Sequence, residues 1–481
     1  MKNFLHLLER CMRPINFHAL VMATARSAVV ALSALLVAGC ATHTFEQPDS
    51  LGPDLQSRAG VTPSWTQPNA KVIDAQALNA AAVTALPNPL NEADAVAIAL
   101  DASPDIARML AETDALRSQA LDISMPLNPV LNFASGVPTD SLGVVPIFAM
   151  LMVQIDELWK QPIRSESAHD SYEAALLSLG AEAVALASNA RSLWHEVTMR
   201  EQECALAATD LELTENLLTL ARDRFLTGEG DGNSVANAQK ELADAHRRAL
   251  RATENLNTTR LALMAILGRA EASVDWSVGS ADPAAQYALH ATLTQETALL
   301  NQLAQSRLDV RAAQARAKAA QSKFQLAQRS RIGQFEIGAG GERTLESQNA
   351  VGVAANIEIP IFNTGSMRID KAAADYRAAL IIAEKVRQTA IIELRSALAK
   401  ARSAQNIHDI SESSQVIPAT ETAKRANDAM LAGELSQRDS MNSQHALALA
   451  RLELTDLERQ RRLSRLALSK AAGFLPMEEF P

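Results

Sequence analysis

The sequence has little with which to staple a fold or run a reaction. Only three cysteines occur in 481 residues, Cys11, Cys40 and Cys204. The first two fall in or at the end of a leader, so no intramolecular disulfide is available, and Cys204 reads as a small packed side chain rather than a nucleophile. The nine histidines show no ligand spacing with one another or with cysteine, so neither a metal site nor a cofactor is expected. There is no glycine-rich phosphate loop, triad spacing or paired-acid motif, which argues against an enzyme. Beyond residue 40 no apolar run reaches about 18 residues, so any membrane crossing must use strands. Asp and Glu (55) outnumber Lys and Arg (45), for a net charge of −10, which excludes a nucleic-acid partner. Glycine (19), proline (18) and aromatics (4%) are all scarce. Ala, Leu, Arg, Glu and Gln dominate instead, the composition of long helices or coiled coils.

What is present begins with a leader. Lys2, Arg10, Arg13 and Arg26 precede an apolar stretch from Ala28 to Ala38 that ends in Val37-Ala38-Gly39-Cys40. The stretch is too short to span a bilayer, which takes about 20 residues, and residues 1–39 have the order of a signal peptide. Small residues before a cysteine form the lipobox, so Cys40 is expected to become the lipidated N-terminus, carrying diacylglycerol and N-acyl chains such as palmitate. Ala41 is not the aspartate of inner-membrane retention, so outer-membrane sorting is expected. Met22 competes with Met1 as the true start.

Residues 40–90 read as the lipidated N-terminus and an extended tether, with Pro48, Pro53, Pro63 and Pro68 among polar residues. Structure is expected from near Asn91, and Ser103-Pro104-Asp105 has the cap, proline and acid of a helix start. An internal repeat follows. Gly228 and Gly433, Asn237 and Asn442, Gln239 and Gln444, and Gly268 and Gly473 are each 205 apart, while Asp105 and Asp309, Gly136 and Gly340, and Tyr172 and Tyr376 are 204 apart. A one-residue indel accounts for the change. The division is therefore a first repeat at 91–280, a second at 281–475, and a tail at 476–481.

Each repeat reads as helix, strand, loop, strand, helix, turn, helix. Strands are expected at Val130–Gly136, Phe148–Ile155, Gln334–Gly338 and Val351–Ile359, with an alternation that suits a barrel wall, weakest in the second. The following helices, about Ser165–Thr227 and Met367–Ala432, would reach on the order of 95–100 Å. Pro418 must kink the latter or mark a boundary. On the return helix Val235, Leu242, Ala249, Leu256 and Leu263, with Ala238, Ala245, Ala252, Thr259 and Ile266, form an a/d seam. Four strands cannot close a membrane barrel, whose smallest single-chain forms use about eight; three copies would supply twelve.

These features resemble the outer-membrane efflux protein family, the TolC-like ducts, over about Asn91 to Gly473. Ala99-Leu100 with Ser103-Pro104-Asp105-Ile106 and Leu127-Asn128-Pro129 looks like the family's first helix. Arg224-Phe225-Leu226-Thr227-Gly228 with Ala238-Gln239 is similar to its repeat-closing turn, and Pro360-Ile361-Phe362-Asn363-Thr364-Gly365 to its return turn. Asn363 and Ile417-Pro418 resemble the branch serving heavy-metal cation pumps. The sequence departs from the pattern at Ser234, where an acid is usual, at Ala429-Met430 in place of an Arg-aromatic pair, and at the glycine-free first-half turn Trp159–Arg164.

The resemblance implies a mainly α fold of two tandem repeats, assembled as a homotrimer with a 12-stranded outer-membrane β-barrel continued by a long α-helical periplasmic barrel. It implies a passive exit duct of a tripartite pump for small toxic solutes, metal cations or drugs among them, working with a periplasmic adaptor and an inner-membrane transporter of the RND type. The tips Phe225–Gln239 and Met430–Gln444 would form the entrance and adaptor contact, through Gly228, Glu229, Asp231, Ser234 and Gln239 in the first and Gly433, Glu434, Asp439 and Gln444 in the second. Two readings of the tip acids stay open, an acidic ring at a narrow entrance and plain helix capping. Trp159 likewise reads either as a membrane-interface residue or as simple packing. Two alternatives to the pump duct also stay open, a type I secretion duct and a coiled-coil periplasmic lipoprotein without a pore.

Overall fold

The computed structural model describes residues 47–67, 75–135, 147–279, 301–302, 304–331, 333–343, 349–359, 361 and 364–473. The leader, Cys40, Gly136, Pro360, Phe362-Asn363 and the tail 476–481 lie outside these. The chain forms two compact units, one including 121–165 and 332–361 and the other 46–120, 166–331 and 362–481.

The first unit holds an antiparallel sheet in the order β1 (Val130–Ser135), β2 (Ile147–Gln154), β3 (Phe335–Arg343) and β4 (Asn349–Ile357). All four expected strands are present, but β3 runs on to Arg343, well past the expected end at Gly338, because Ala339–Arg343 pair with both neighbouring strands. The register decides which side chains share a face. Phe133 faces Ala149, which faces Gly341, which faces Val351; one step along, Leu131, Leu151, Ala339 and Val353 lie in line. With Val153, Ile337, Ala355 and Ile357 this face is apolar throughout its central part. Side chains alternate across the pleat, so the opposite face carries Asn132, Gln154, Glu336 and Asn356 instead. There Gln154 Nε2 donates to Glu336 Oε1 (3.3 Å) and Asn356 Nδ2 to Glu336 Oε2 (3.2 Å). The weak alternation of β2 has a local cause. Met150 and Met152 point to this second face, where a Cβ on Gly338 would meet Met152 Sδ and one on Gly340 would meet the Ala149 carbonyl. The glycines leave the room that the methionines fill.

The second unit is helical. It comprises α1 (Gly52–Ala59), α2 (Ala75–Ala82), α3 (Glu92–Ala102), most of α4 (Pro104–Ser124) and of α5 (Glu157–Leu226), α6 (Gly232–Ile266), α7 (Leu308–Arg329), α8 (Ser366–Ser411), α9 (Ile417–Leu431) and α10 (Gln437–Ala472). The repeat register carries over to the fold: α4 stands to α7 as residue i to i+204, and α6 to α10 as i to i+205. No helix among the described residues is long and apolar enough to cross a membrane. All ten expected seam residues of α6 are buried or half-buried. One core cluster gathers Trp194, Val197, Leu263, Met264, Leu267 and Trp276, and another Leu55, Trp65, Val96, Leu100, Leu179 and Leu308. Between α5 and α7 the fully buried Asp170 accepts from Lys318 at 2.9 Å and from Ser322 at 3.3 Å.

Two expectations are corrected, and the boundary expected at Pro418 is found. Residues 47–67 are not an extended tether: a 3-10 turn, α1 and a second 3-10 turn bury Leu51, Leu55 and Trp65. Arg58 fastens them, donating to the carbonyls of Gly473 (2.9 Å) and Ser306 (3.2 Å), and Trp65 Nε1 donates to Leu100 (3.1 Å). Proline content signalled an open chain, whereas the apolar residues between the prolines found a surface to cover. The turn expected at Trp159–Arg164 is helical, because α5 begins at Glu157 and takes Pro162 into its early turns. The helix around Pro418 is interrupted by a π-helical turn, Glu412–Val416, that places Pro418 in the first turn of α9, where its missing N–H costs least. The hydroxyls of Ser413 and Ser414 donate to the carbonyls of Asp409 (2.8 Å) and Ile410 (2.6 Å) as the ladder changes register.

Leu263 is fully buried while Leu250, on the same helix but off the seam, is 71% exposed. Leu263→Ala is expected to cost about 2–5 kcal/mol in denaturant unfolding and Leu250→Ala less than about 0.5 kcal/mol. Equal costs would reject the seam.

Candidate functional site

The two helical turns named by the repeat are built by one rule. In the first, α5 ends at Leu226 and Gly228 takes φ +79°, so that the Glu229 and Gly230 amides reach back to the Arg224 carbonyl at 2.9 Å each. In the second, Gly433 takes φ +77°, and the amides of Glu434 (2.9 Å) and Leu435 (3.3 Å) reach the Ala429 carbonyl. Glycine is needed at both because the left-handed conformation strains a residue with a Cβ. The carbonyl is supplied by Arg224 in one turn and Ala429 in the other, which is why loss of the arginine leaves the turn intact.

The acids then divide into two kinds. Asp231 caps α6, its Oδ1 accepting from the Ser234 amide at 2.9 Å. In the second turn Ser436 caps α10, accepting from the Asp439 amide at 3.2 Å and donating to Asp439 Oδ2 at 2.6 Å. Asp231 corresponds to Ser436 and Ser234 to Asp439 by the 205-residue offset. Acid and serine have exchanged places within one capping pair, so the missing acid at Ser234 is a swap and not a loss. The bonds from Ser234, side chain first, hold the Asp231 carboxyl below its ordinary range. Glu229 and Glu434 are exposed at the turns, as are Gly228, Gly433 and Gln239, while Gln444 is half-buried. Asp231 and Asp439 therefore carry a structural duty, and Glu229 and Glu434 are the acids left to present charge.

The structure brings the two turns together. A cleft of about 320 Å³ is lined from α5 by Thr214 and Leu217, from α6 by Ser234 and Asn237, and from α10 by Arg438 and Asn442. Glu241 and His445 also line this cleft, and with Asp210 and Arg248 they form a charge cluster that sequence spacing could not show. Asp210 on α5, fully buried, accepts from Arg248 on α6 at 3.0 and 2.7 Å, and its Oδ1 lies 2.8 Å from Nδ1 of His445 on α10. His445 Nε2 lies 3.2 Å from Glu241 of α6. One carboxylate thus ties together three helices from both repeats. Contact with Asp210, against the opposing effect of burial, raises the His445 pKa. The equivalents by offset are Gln415 for Asp210 and Lys240 for His445, so no repeat signal marks this cluster. Cys204 is half-buried and burial pushes its thiol up, as a packed side chain requires.

Ser436→Ala is expected to cost about 1 kcal/mol in thermal or denaturant unfolding as the cap is lost; no change would mean that Asp439 caps α10 without it. For the charge cluster, a group with a raised folded pKa contributes stability that is complete below its unfolded value and is lost as pH rises through its folded one. The stability difference between the wild type and His445→Gln should therefore be largest below about pH 6.5 and shrink as pH rises. A difference independent of pH would separate His445 from Asp210.

Residues 299–474 match the family described as outer membrane efflux protein. No curated relative matches the sequence. Among solved structures, the chain superposes on CusC, described in connection with transmembrane channel formation, with a TM-score of 0.65 and 16% identity, over 90% of this chain and 99% of that one. The outer membrane protein VceC of Vibrio cholerae gives 0.61 and 18%, over 79% and 95%. The open state of the Neisseria gonorrhoeae MtrE outer membrane channel gives 0.63 and 17%, over 79% and 88%. Residues 299–474 thus form an outer membrane efflux protein domain, within a chain that has the fold of solved outer-membrane channels.

Proposed function

We propose that this chain is the outer-membrane exit duct of a tripartite efflux pump, conducting small toxic solutes passively as a homotrimer. The observation that carries the reading is the sheet. Among the described residues β1 and β4 each pair on one side only, and the face they share with β2 and β3 is apolar while the other carries Glu336, Asn132 and Asn356. Val353 is 85% exposed in one copy. Apolar side chains in water and unpaired edges in lipid are both costly; a lipid environment removes the first cost, and closure with two further copies into twelve strands removes the second. The nine-residue length of β3 and β4 is about that of a tilted spanning strand.

The two helical turns, which share a cleft, form the entrance in this reading and meet a periplasmic adaptor, and an RND-type transporter supplies the energy. Cys40 carries the lipid that anchors the chain to the outer membrane. Metal cations are included among the solutes on the resemblance at Asn363 and Ile417-Pro418. No enzymatic step is proposed.

Detergent-purified protein should run as a trimer by light scattering and give discrete conductance steps in planar bilayers. Cys40→Ala should abolish the lipid mass on the N-terminal peptide while preserving both behaviours. A monomer without conductance would sink the duct and favour the periplasmic lipoprotein.

A further inference from the structure

Equivalent helix faces in the two repeats are covered unequally. On α5 the positions Ser167, Asp170, Ala174 and Leu177 recur at helical spacing, and all four are buried. They meet α7 of the same chain. Asp170 accepts from Lys318 and Ser322, the Ser167 hydroxyl donates to the Ala319 carbonyl at 3.5 Å, and Ala174 and Leu177 share a core cluster with Leu308, Ala312 and Ala315. The face that α7 presents, from Leu308 through Ala312, Ala315 and Ala319 to Ser322, is likewise buried throughout.

Both faces occur a second time in the chain, and there they are bare. At the offset of 204 the α5 face becomes Lys371, Ala374, Ala378 and Ile381 on α8, and the α7 face becomes Pro104, Arg108, Ala111, Ala115 and Ser118 on α4. Every one of these residues is exposed. Leu177 is 6% exposed, whereas its equivalent Ile381 is 69% exposed. A helix side that faces water carries polar residues, yet the bare face of α8 is the more apolar of the two. Ala374 stands where α5 has the acid Asp170, and Ile382, 54% exposed, stands where it has Ser178. Farther along, α8 buries its other side, with Leu394, Ala397, Leu398 and Ala401 clustered against Leu468 and Ala471 of α10. On α4 the small residues Ala111, Ala115 and Ser118 repeat Ala315, Ala319 and Ser322 of α7 one for one, so a second helix can approach as closely there.

The order of the strands points to the missing cover. Strand β2 precedes α5, β3 follows α7, and β2 pairs with β3. Strand β4 precedes α8 and β1 follows α4, and these two are the edges of the sheet among the described residues. We infer that the cover is a second copy of this chain, with α4 of one copy lying on α8 of the next as α7 lies on α5 within a copy. This pairing presupposes the homotrimer proposed above and names the helix faces that close it. The contacts within a copy set its register. Ser322 on Asp170 becomes Ser118 of one copy on Ala374 of the next, and Ala319 on Ser167 becomes Ala115 on Lys371.

Cross-linking of the detergent-purified full chain, in a Cys204→Ser background and with a short bis-methanethiosulfonate reagent, tests the pairing. Chains carrying both Ser118→Cys and Ala374→Cys should give a covalent trimer on a denaturing gel that reductant returns to monomer, and Ala115→Cys with Lys371→Cys should do the same. Ser118→Cys chains co-expressed with Ala374→Cys chains should link in pairs and no further, because each contact then joins one chain of each kind. Either variant alone should stay monomeric on the gel. Both double variants unlinked, in protein that light scattering shows to be trimeric, would overturn the pairing and leave the trimer standing. A monomer in solution would overturn both.

Discussion

A β-sheet has two edges, and each edge strand has backbone N–H and C=O groups that must find partners wherever water is excluded. In this protein those edges are β1 and β4, and the sheet between them is apolar on one face and in part polar on the other. The rest of the proposed assembly follows from that constraint. Four strands cannot close on themselves at the width of a membrane barrel, so closure has to come from other copies. In the proposed homotrimer the helices would come in sixfold near-repetition, two repeats from each of three chains.

Duplication makes the two halves equivalent in backbone before it makes them equivalent in chemistry. The turn glycines keep their positive φ and the return helices keep their register because those features answer to backbone geometry. Side chains were free to diverge within it. Asp231 with Ser234 and Ser436 with Asp439 solve one capping problem with the same two groups in opposite order. Asp210 has no acidic counterpart, yet it joins α5 and α6 of the first repeat to His445 of the second. A buried carboxylate held by an arginine and a histidine is costly to break once formed. This difference between the repeats sits where they meet.

The π-helical turn is a second departure from equivalence. Proline in the middle of a long helix would remove a hydrogen bond and crowd the carbonyl four residues back. The chain instead widens over Glu412–Val416, restarts at Ile417 and lets serine hydroxyls bond two carbonyls beside the change. The same local geometry puts Glu412 Oε2 3.9 Å from Nδ1 of His408.

Much was legible from the chain alone because it depends on local periodicity and backbone freedom. The four strands, the a/d seam from Val235 to Ile266, the glycines at 228 and 433 and the break near Pro418 are all written in spacing. Tertiary structure alone decided what depends on neighbours distant in sequence. It folded Leu51, Leu55 and Trp65 onto the helices where prolines suggested an open tether. It also placed His445 on Asp210 and Glu458 behind His408, pairs brought together only by helix packing. It further assigned Asp231 to capping and tied Asp439 to the capping Ser436, because a carboxylate's role depends on the donors it meets and not on its position in a motif. Periodicity is a property of one segment and can be read there, whereas burial and partnership belong to surfaces that exist only after the segments pack.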